Sequence, residues 1–374
     1  MDSTTILTIQ DLARGGAGLA RDSGGRVIFV PWTAPGDQVR VSIDRQEKNY
    51  AHGTLLEILE PSPIRQAPRC PAFGTCGGCQ WQHIPYELQW KTKVQGVLQA
   101  LRRVQVTPPG KIEEFPAEQI WEYRNRIQLK GSGRQLGFFK PGTHTLVPVE
   151  RCDLARPEIN EGWEQIRTEG VRFSQPYQVE VEVLPSGELS QSWNEGHAAR
   201  GFRQVHDEQN QKLQSWIAIV LPRFEVLYDL FGGAGNLSLP LAKHGAQVHC
   251  VDLSVPLSPE ALPAGFLFHR SAVLPWLLRQ AQVVAQGVRP DPAIAILDPP
   301  REGLGRDFLK IAHSLESLHV KAVLAVGCDP DSWSRDLCAW VKRGWKFERM
   351  MVIDFFPQTS HLESVAYLTW EDKI

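Results

Sequence analysis

The sequence predicts an α/β protein in three parts: a Rossmann-like C-terminal domain, an N-terminal OB-like β-barrel and a central β-rich domain between them. Three observations predict it. The last third alternates strand and helix signals around a Gly-rich turn, Asp229-Leu230-Phe231-Gly232-Gly233-Ala234-Gly235-Asn236. The first 61 residues are short apolar alternations broken by Gly, Pro and Asp. The segment from Tyr123 to Leu184 is rich in strand signals, as in Tyr123–Lys130, Leu136–Phe139 and Val179–Val183.

At 374 residues the chain is long enough for two or three domains and a large core. No apolar run reaches the length of a bilayer span, and the N-terminus lacks a signal-peptide pattern, so a cytoplasmic, monomeric protein without membrane contact is expected. The net charge of −2 does not announce a nucleic-acid binder. Charge is uneven, however: Arg102, Arg103, Lys111, Arg124, Arg126, Lys130, Arg134 and Lys140 crowd the middle, and an acidic stretch follows from Asp153 to Glu195. Such a cluster serves phosphate contacts or is an ordinary solvated surface.

In order, strands are expected at Ile6–Ile9, Val27–Val30, Val39–Ile43 and Thr54–Ile58, and five strands in all would close a small barrel of the kind that carries oligonucleotides. Next comes Cys70-x5-Cys76-Gly-Gly-Cys79, with Cys152 after a long gap. Seven cysteines, an odd number, argue for metal or catalysis rather than a disulfide framework. Four thiolates suit an iron–sulfur cluster or a structural zinc, and the lack of paired CxxC…CxxC spacing favours iron–sulfur. A helix is expected over Tyr86–Arg103, ended by Pro108-Pro109-Gly110. Beyond it, Arg124 and Arg126, two apart on a strand, would share one face.

In the last third a helix is expected from Asp207 to Leu221, then a strand Glu225–Tyr228, the Gly-rich turn, a helix Leu237–His244, and a strand Ala246–Val251 ending on Asp252. An acid about twenty residues past the glycines sits where Rossmann-like folds hold a ribose hydroxyl. The polar Asp229 and Asn236 suit an amino-acid moiety better than a pyrophosphate, which favours S-adenosylmethionine over NAD. The strand Ala293–Leu297 ends on Asp298-Pro299-Pro300-Arg301, where two prolines fix the chain and present Asp298 and Arg301 to a crevice. The strand Lys321–Val326 ends on Gly327-Cys328-Asp329-Pro330, and the run Ile353–Glu363 closes on a carboxylate. A thiol and a carboxylate converging on one crevice suggest covalent catalysis with a separate base.

These residues resemble a family. The chain is similar to the S-adenosylmethionine-dependent RNA (uracil-5-)-methyltransferases, and most closely to the 23S rRNA branch that carries a TRAM domain and a four-iron cluster. The likeness spans Phe29-Val30-Pro31 and Pro35-Gly36-Asp37, the four cysteines, Phe202-x-Gln204, the Gly-rich turn, Asp298-Pro299-Pro300-Arg301-x-Gly303, Cys328 and Asp354-x-Phe356-Pro357-Gln358-Thr359-x-His361-Leu362-Glu363. The resemblance implies a TRAM domain over 1–61, a central domain with a [4Fe-4S] cluster over 62–200 and a methyltransferase domain over 201–374. It implies Cys328 as nucleophile, Glu363 as base, Gln204, Phe231, Asn236, Asp252 and Asp298 as S-adenosylmethionine contacts, and Cys70, Cys76, Cys79 and Cys152 as iron ligands. The expected reaction is methylation of C5 of a uridine in 23S rRNA. The alternatives are the same chemistry on tRNA, or an RNA-binding protein whose methyltransferase domain is inactive.

Three departures stand out. Relatives usually have Ser-Cys-Asn-Pro at the nucleophile, where this chain has Gly327-Cys328-Asp329-Pro330. An ionised Asp329 beside Cys328 is expected to raise the thiol pKa. Gly233 stands where Cys is usual, and the segment from Leu253 to Phe268 is short and Pro-rich where relatives carry a helix.

Overall fold

The computed structural model describes residues 4–196, 203–242, 246–254, 262–285 and 292–370. Phe202, the end of the helix expected to reach His244, and much of the Pro-rich segment lie outside these residues. The chain folds as two compact units. One comprises Met1–Gly96, Glu118–Glu195 and Phe356–His361; the other comprises Val97–Ala117, Gly196–Phe355 and Leu362–Ile374.

In the first unit, β1 (Thr4–Thr8), β2 (Asp11–Leu12), β3 (Gly18–Arg21), β4 (Val27–Val30), β5 (Gln38–Gln46) and β6 (Tyr50–Glu60) form one sheet, in the order β1-β5-β6-β4-β3-β2. Only β4 and β6 pair in parallel. Alternate residues (Ile28, Val30, Val39, Val41) turn inward, as their period-two pattern dictates. Asp37 is buried in the turn before β5, where its carboxylate accepts from the amides of Ala34 (2.6 Å) and Ser62 (2.8 Å) and pairs with Arg65 (2.6 Å).

Helix α1 runs Tyr86–Arg103 as its apolar spacing predicts, and a short strand β7 (Glu113–Phe115) follows. The second sheet contains β8 (Arg126–Ser132), β9 (Gln135–Phe139), β10 (Leu146–Pro148), β11 (Tyr177–Val183) and β12 (Leu189–Trp193), all antiparallel, in the order β10-β9-β8-β11-β12. Between β10 and β11, α2 (Pro157–Glu161) and α3 (Trp163–Gly170) pack Ile159, Trp163 and Ile166 onto Ile127, Leu129, Val179 and Val181.

Arg124, Arg126 and Arg134 do not form one patch. Arg126 is buried and pairs across the β8–β11 ladder with Glu182 at 2.9 Å, with Glu180 at 3.9 Å. Arg124 lies outside β8, in an isolated bridge to Ala155, and is half-buried, so the two arginines do not share an exposed strand face. Arg134 pairs with Glu164 on the surface.

The second unit contains α4 (Asp207–Val220), β13 (Val226–Leu230), α5 (Leu239–Ala242), β14 (Gln247–Asp252), β15 (Phe266–Arg270), α6 (Val273–Ala285), β16 (Ala293–Leu297), α7 (Phe308–Ser317), β17 (Val320–Gly327), α8 (Pro330–Lys342), β18 (Lys346–Ile353) and β19 (Glu363–Thr369). Its sheet has the order β15-β14-β13-β16-β17-β19-β18-β7. The expected parallel sheet holds from β15 to β17; β19 then inserts antiparallel between β17 and β18. Strands β13 and β16 are buried at every position, which explains their continuous apolar runs. The order turns back between β13 and β16, where open α/β sheets bind ligands at their carboxyl ends. Among the described residues no helix is long and apolar enough to cross a membrane.

Arg126→Ala is expected to destabilise the protein by about 3–5 kcal/mol, because it strands two buried carboxylates. Arg134→Ala, which removes an exposed pair, should cost below about 1 kcal/mol. Urea unfolding of the two variants measures the difference, and equal losses would refute the structural role of Arg126.

Candidate active site

The crevice begins where β13 ends. Phe231 takes a left-handed φ of 60°, and its amide donates to the Val251 carbonyl at 3.0 Å, locking the turn to β14. Gly235 has φ +84°, and a Cβ there would lie 2.7 Å from the Phe266 ring. Glycine is therefore required for both backbone and space. The turn leads into α5, and Asn236 exchanges a reciprocal pair of amide hydrogen bonds with Asn210 of α4, at 2.8 and 2.9 Å. Asp252 closes β14 and accepts from the amides of Gly233 (3.0 Å) and Ser254 (2.7 Å), which fixes its carboxylate against the turn. Gln204 is buried just ahead of α4.

Asp229, singled out with Asn236 as suited to an amino-acid moiety, stands at the foot of this turn. It is fully buried; its Oδ2 accepts from Ser238, and its Oδ1 has no hydrogen-bond partner among the described residues. Burial pushes its pKa up to about 6. A polar residue preceding a Gly-rich turn is the signal that points to it.

Asp298 follows β16. Burial, then Asp229 and Asp252, push its pKa well up. Beyond Pro299 and Pro300, the loop is clamped from α8. Asp336 accepts from the Leu304 amide at 2.6 Å, and a Cβ on Gly303 would lie 2.3 Å from that carboxylate. The glycine of Asp298-Pro-Pro-Arg301-x-Gly303 is thus explained by a partner far along the chain.

The register of β17 and β19 sets Gly327 opposite Ser364, so Cys328 and Glu363 meet at the end of the ladder. Cys328 is half-buried, and Glu363 is buried with an Oε2 that has no hydrogen-bond partner among the described residues. Burial first, then Asp298, holds Glu363 far above the usual carboxylate range. The Cys328 thiol is pushed up to about 12 by burial, then by Glu363 and Asp298, while Arg301 pulls it back.

Both departures at the nucleophile have structural causes. Gly327 leaves room for Trp333, whose Cδ1 would lie 2.7 Å from an added Cβ and whose indole N–H donates to the Ala325 carbonyl at 3.0 Å. Asp329 is the N-cap of α8, and its Oδ1 accepts from the amides of Asp331 and Ser332 at 3.0 Å each. Its carboxylate is engaged by the helix terminus, and after burial the largest influences that hold the thiol up are Glu363 and Asp298.

In the first unit, Cys70, Cys76, Cys79 and Cys152 line one cavity with Phe73, Ile127, Phe138, Val149 and Leu154. Gln82 accepts from the Cys70 amide at 2.9 Å and donates to Cys79 Sγ at 3.3 Å; Asn160 brackets Cys152 through its backbone. Burial raises all four thiols, Cys79 to about 12. Arg124, a candidate phosphate contact by sequence, instead lies half-buried beside Cys152 and Cys79. Among the described residues no three ligating groups close on a single metal ion. Four thiols lining one cavity, with Arg124 and Arg151 alongside to offset thiolate charge, are a donor set that suits an iron–sulfur cluster or a zinc.

The closing signature divides in role. Gln358, at φ 69°, exchanges side-chain and backbone bonds with Gln89 at 2.9 and 3.0 Å within the first unit. Glu363 opens β19 in the second.

Residues 6–64 match the family model described as tRNA (uracil(54)-C(5))-methyltransferase, TRAM domain. An uncharacterized RNA methyltransferase of Nitrosomonas europaea is 30% identical over 401 residues, covering 96% of this chain and 95% of the relative. The 23S rRNA (uracil(1939)-C(5))-methyltransferase of Histophilus somni is 27% identical, covering 97% and 95%. The solved tRNA (uracil-54, C5)-methyltransferase of Pyrococcus abyssi, in complex with S-adenosyl-L-homocysteine, superposes with TM-score 0.68 at 19% identity, covering 97% of this chain and 98% of that one, which shows a shared fold.

Cys328 is expected to react slowly with iodoacetamide at neutral pH and faster as pH rises. At alkaline pH Glu363→Gln removes a charge that raises the thiol pKa and should speed labelling; Arg301→Gln removes one that lowers it and should slow labelling. Mass spectrometry of the Cys328 peptide gives the rates, and indifference to both changes would exclude this electrostatic account.

Proposed function

This chain belongs to the RNA (uracil-C5)-methyltransferase family, and we propose that it transfers a methyl group from S-adenosylmethionine to C5 of a uridine in 23S rRNA. The observation that carries this reading is the β17–β19 register, which sets a thiol and a buried carboxylate side by side. C5 of uracil is a poor nucleophile. Addition of the Cys328 thiolate to C6 moves the ring electrons into an enolate, and C5 then takes the methyl group. Glu363 removes the C5 proton, the C5–C6 double bond re-forms and the thiolate leaves. The target base must leave its stack to reach the thiol, at a cost of about a few kcal/mol.

S-adenosylmethionine, when bound, supplies the methyl group as a sulfonium. The crevice suits that cation: Asp229, Asp252, Asp298 and Glu363 gather there with Arg301. Gln204, Phe231, Asn236, Asp252 and Asp298 would hold the cofactor. Cys70, Cys76, Cys79 and Cys152 would hold a [4Fe-4S] cluster that braces the loop, with Arg124 offsetting its charge. Residues 1–61 would serve as an OB-like RNA platform, 62–200 as the cluster domain and 201–374 as the methyltransferase domain, in a monomer. The full-length relatives named for 23S rRNA favour that substrate; the TRAM-domain model, named for a tRNA enzyme, keeps tRNA as the second reading.

Purified protein with S-adenosylmethionine should form 5-methyluridine in 23S rRNA transcripts and not in tRNA, read by mass spectrometry of nucleosides. Cys328→Ala should abolish product. Glu363→Gln should accumulate a covalent protein–RNA adduct, since the methylated adduct cannot lose its proton. Native-rate methylation by Cys328→Ala would end the proposal.

Anaerobically purified protein should be brown and carry about four iron atoms per chain, and Cys152→Ser should lose the colour. One zinc in a colourless preparation would overturn the cluster assignment.

A further inference from the structure

We infer that the Lys130 end of the second sheet, on the face opposite α2 and α3, is a groove for single-stranded RNA, with Phe139 and His144 as a stacking platform for one base and Lys130 and Lys140 as phosphate contacts. This rests on the RNA substrate proposed above. The strand pattern separates the two faces. Ile127, Leu129, Val179 and Val181 face the helices α2 and α3. Gln128, Lys130, Phe139 and Gln178 stand on the opposite face, since Lys130 pairs across to Gly137 and Gln178. Two hollows of about 600 and about 570 Å³ lie there, and both are lined by Lys130, Phe139 and His144. Among the described residues no Asp or Glu lines either one, although an acidic stretch supplies the neighbouring strands. The two acids on this face of β11, Glu180 and Glu182, are taken up by Arg126.

The groove chemistry fits one partner. The Lys130 ammonium is held by neutral amide oxygens, Gln128 at 2.9 Å and Gln178 at 2.6 Å, and sits 5.6 Å from the centre of the Phe139 ring. Neither amide cancels its charge, which stays available to an anion, whereas Arg134, Arg151, Arg156 and Arg167 of the same unit are all paired with carboxylates. His144 is exposed and lies 5.3 Å from the Phe139 ring, centre to centre. Alternating cations and aromatic faces in an acid-free groove are what an unpaired polynucleotide requires. A duplex keeps its bases stacked on each other and cannot use the platform.

The test is fluorescence anisotropy of a labelled single-stranded oligouridylate, titrated at several salt concentrations. Phe139→Leu and His144→Ala should each weaken binding roughly tenfold without changing the slope of log affinity against log salt. Phe139→Tyr should bind like the parent, which separates stacking from folding. The double variant Lys130→Gln, Lys140→Gln should flatten the slope by about 1.4, at about 0.7 for each phosphate no longer neutralised. Duplex RNA should be insensitive to Phe139→Leu. Equal binding by the Leu and Tyr variants, or an unchanged slope in the lysine variant, overturns the groove. If oligouridylate binding ignores all these changes while 23S rRNA is still methylated, the groove is wrong and the function stands. If binding follows the pattern and no uridine is methylated, the groove stands and the function fails.

Discussion

Antiparallel pairing of β19 with β17 is the constraint on which the rest depends. Cys328 ends a strand whose neighbours on one side are parallel, so its chain leaves the sheet at the carboxyl edge with Asp298 beside it. A parallel strand on the other side would bring another carboxyl end and a long crossover. Instead β19 starts at that edge, and its first residue is Glu363. Side chains alternate with period two, so a one-residue slip in this ladder would turn Glu363 to the other face of the sheet. Slippage is resisted because β19 is buried over its first four residues and pairs on both sides, with Gly327 set against Ser364 and Ile353 against Glu363 itself.

The same economy appears around the nucleophile. The indole of Trp333 fills the space beside Gly327 and bonds the Ala325 carbonyl, so the backbone entering Cys328 is held from α8. Asp329 caps that helix, Ser332 donates to the Arg301 carbonyl at 2.6 Å, and Asp336 clamps the loop after Pro300. One helix therefore positions the thiol and the Asp298–Arg301 loop together. A polar residue at an N-cap stabilises its helix by about 1 kcal/mol, and Asp performs that role as well as the Asn usual in relatives.

Much of this is legible in the sequence. The apolar spacing of Leu88, Val94, Leu98 and Leu101 gives α1 its bounds, and the uninterrupted run Ala293–Leu297 gives β16 its own. Motif spacing reaches the residues that the proposed chemistry would use: Cys328, Glu363, Asp298 and the four cysteines. What stays hidden depends on partners distant in sequence. Arg124 and Arg126 look like a phosphate-binding pair until β11 supplies two glutamates and the cysteine cavity takes the other guanidinium. Asp329 looks only like a charge beside a thiol, and its second role as the cap of α8 shows only in the structure. Glu363 shares no local pattern with Cys328, because only the inverted strand brings them together. Short elements such as β2, β7 and β10 carry too few residues for any period to show.

The electrostatics of the crevice point to a division of labour between chain and cofactor. Asp229, Asp298 and Glu363 are all held above the ordinary carboxylate range, chiefly by burial. Two of them leave a buried oxygen without a hydrogen-bond partner among the described residues, an arrangement that costs about 1–3 kcal/mol per group. A fold optimised for stability would replace such residues with apolar ones. Their retention makes sense where a cation completes the site, because a positive charge among the acids restores their ionised form. Glu363 must be ionised to accept a proton, and Cys328 must be ionised to attack, yet the Glu363 charge raises the pKa of the thiol. Arg301 offsets both groups in part. On the proposed function, the sulfonium charge supplies what the chain withholds. Nucleophile and base are then ready together only when the methyl donor is in place, and the thiol stays protonated and inert otherwise.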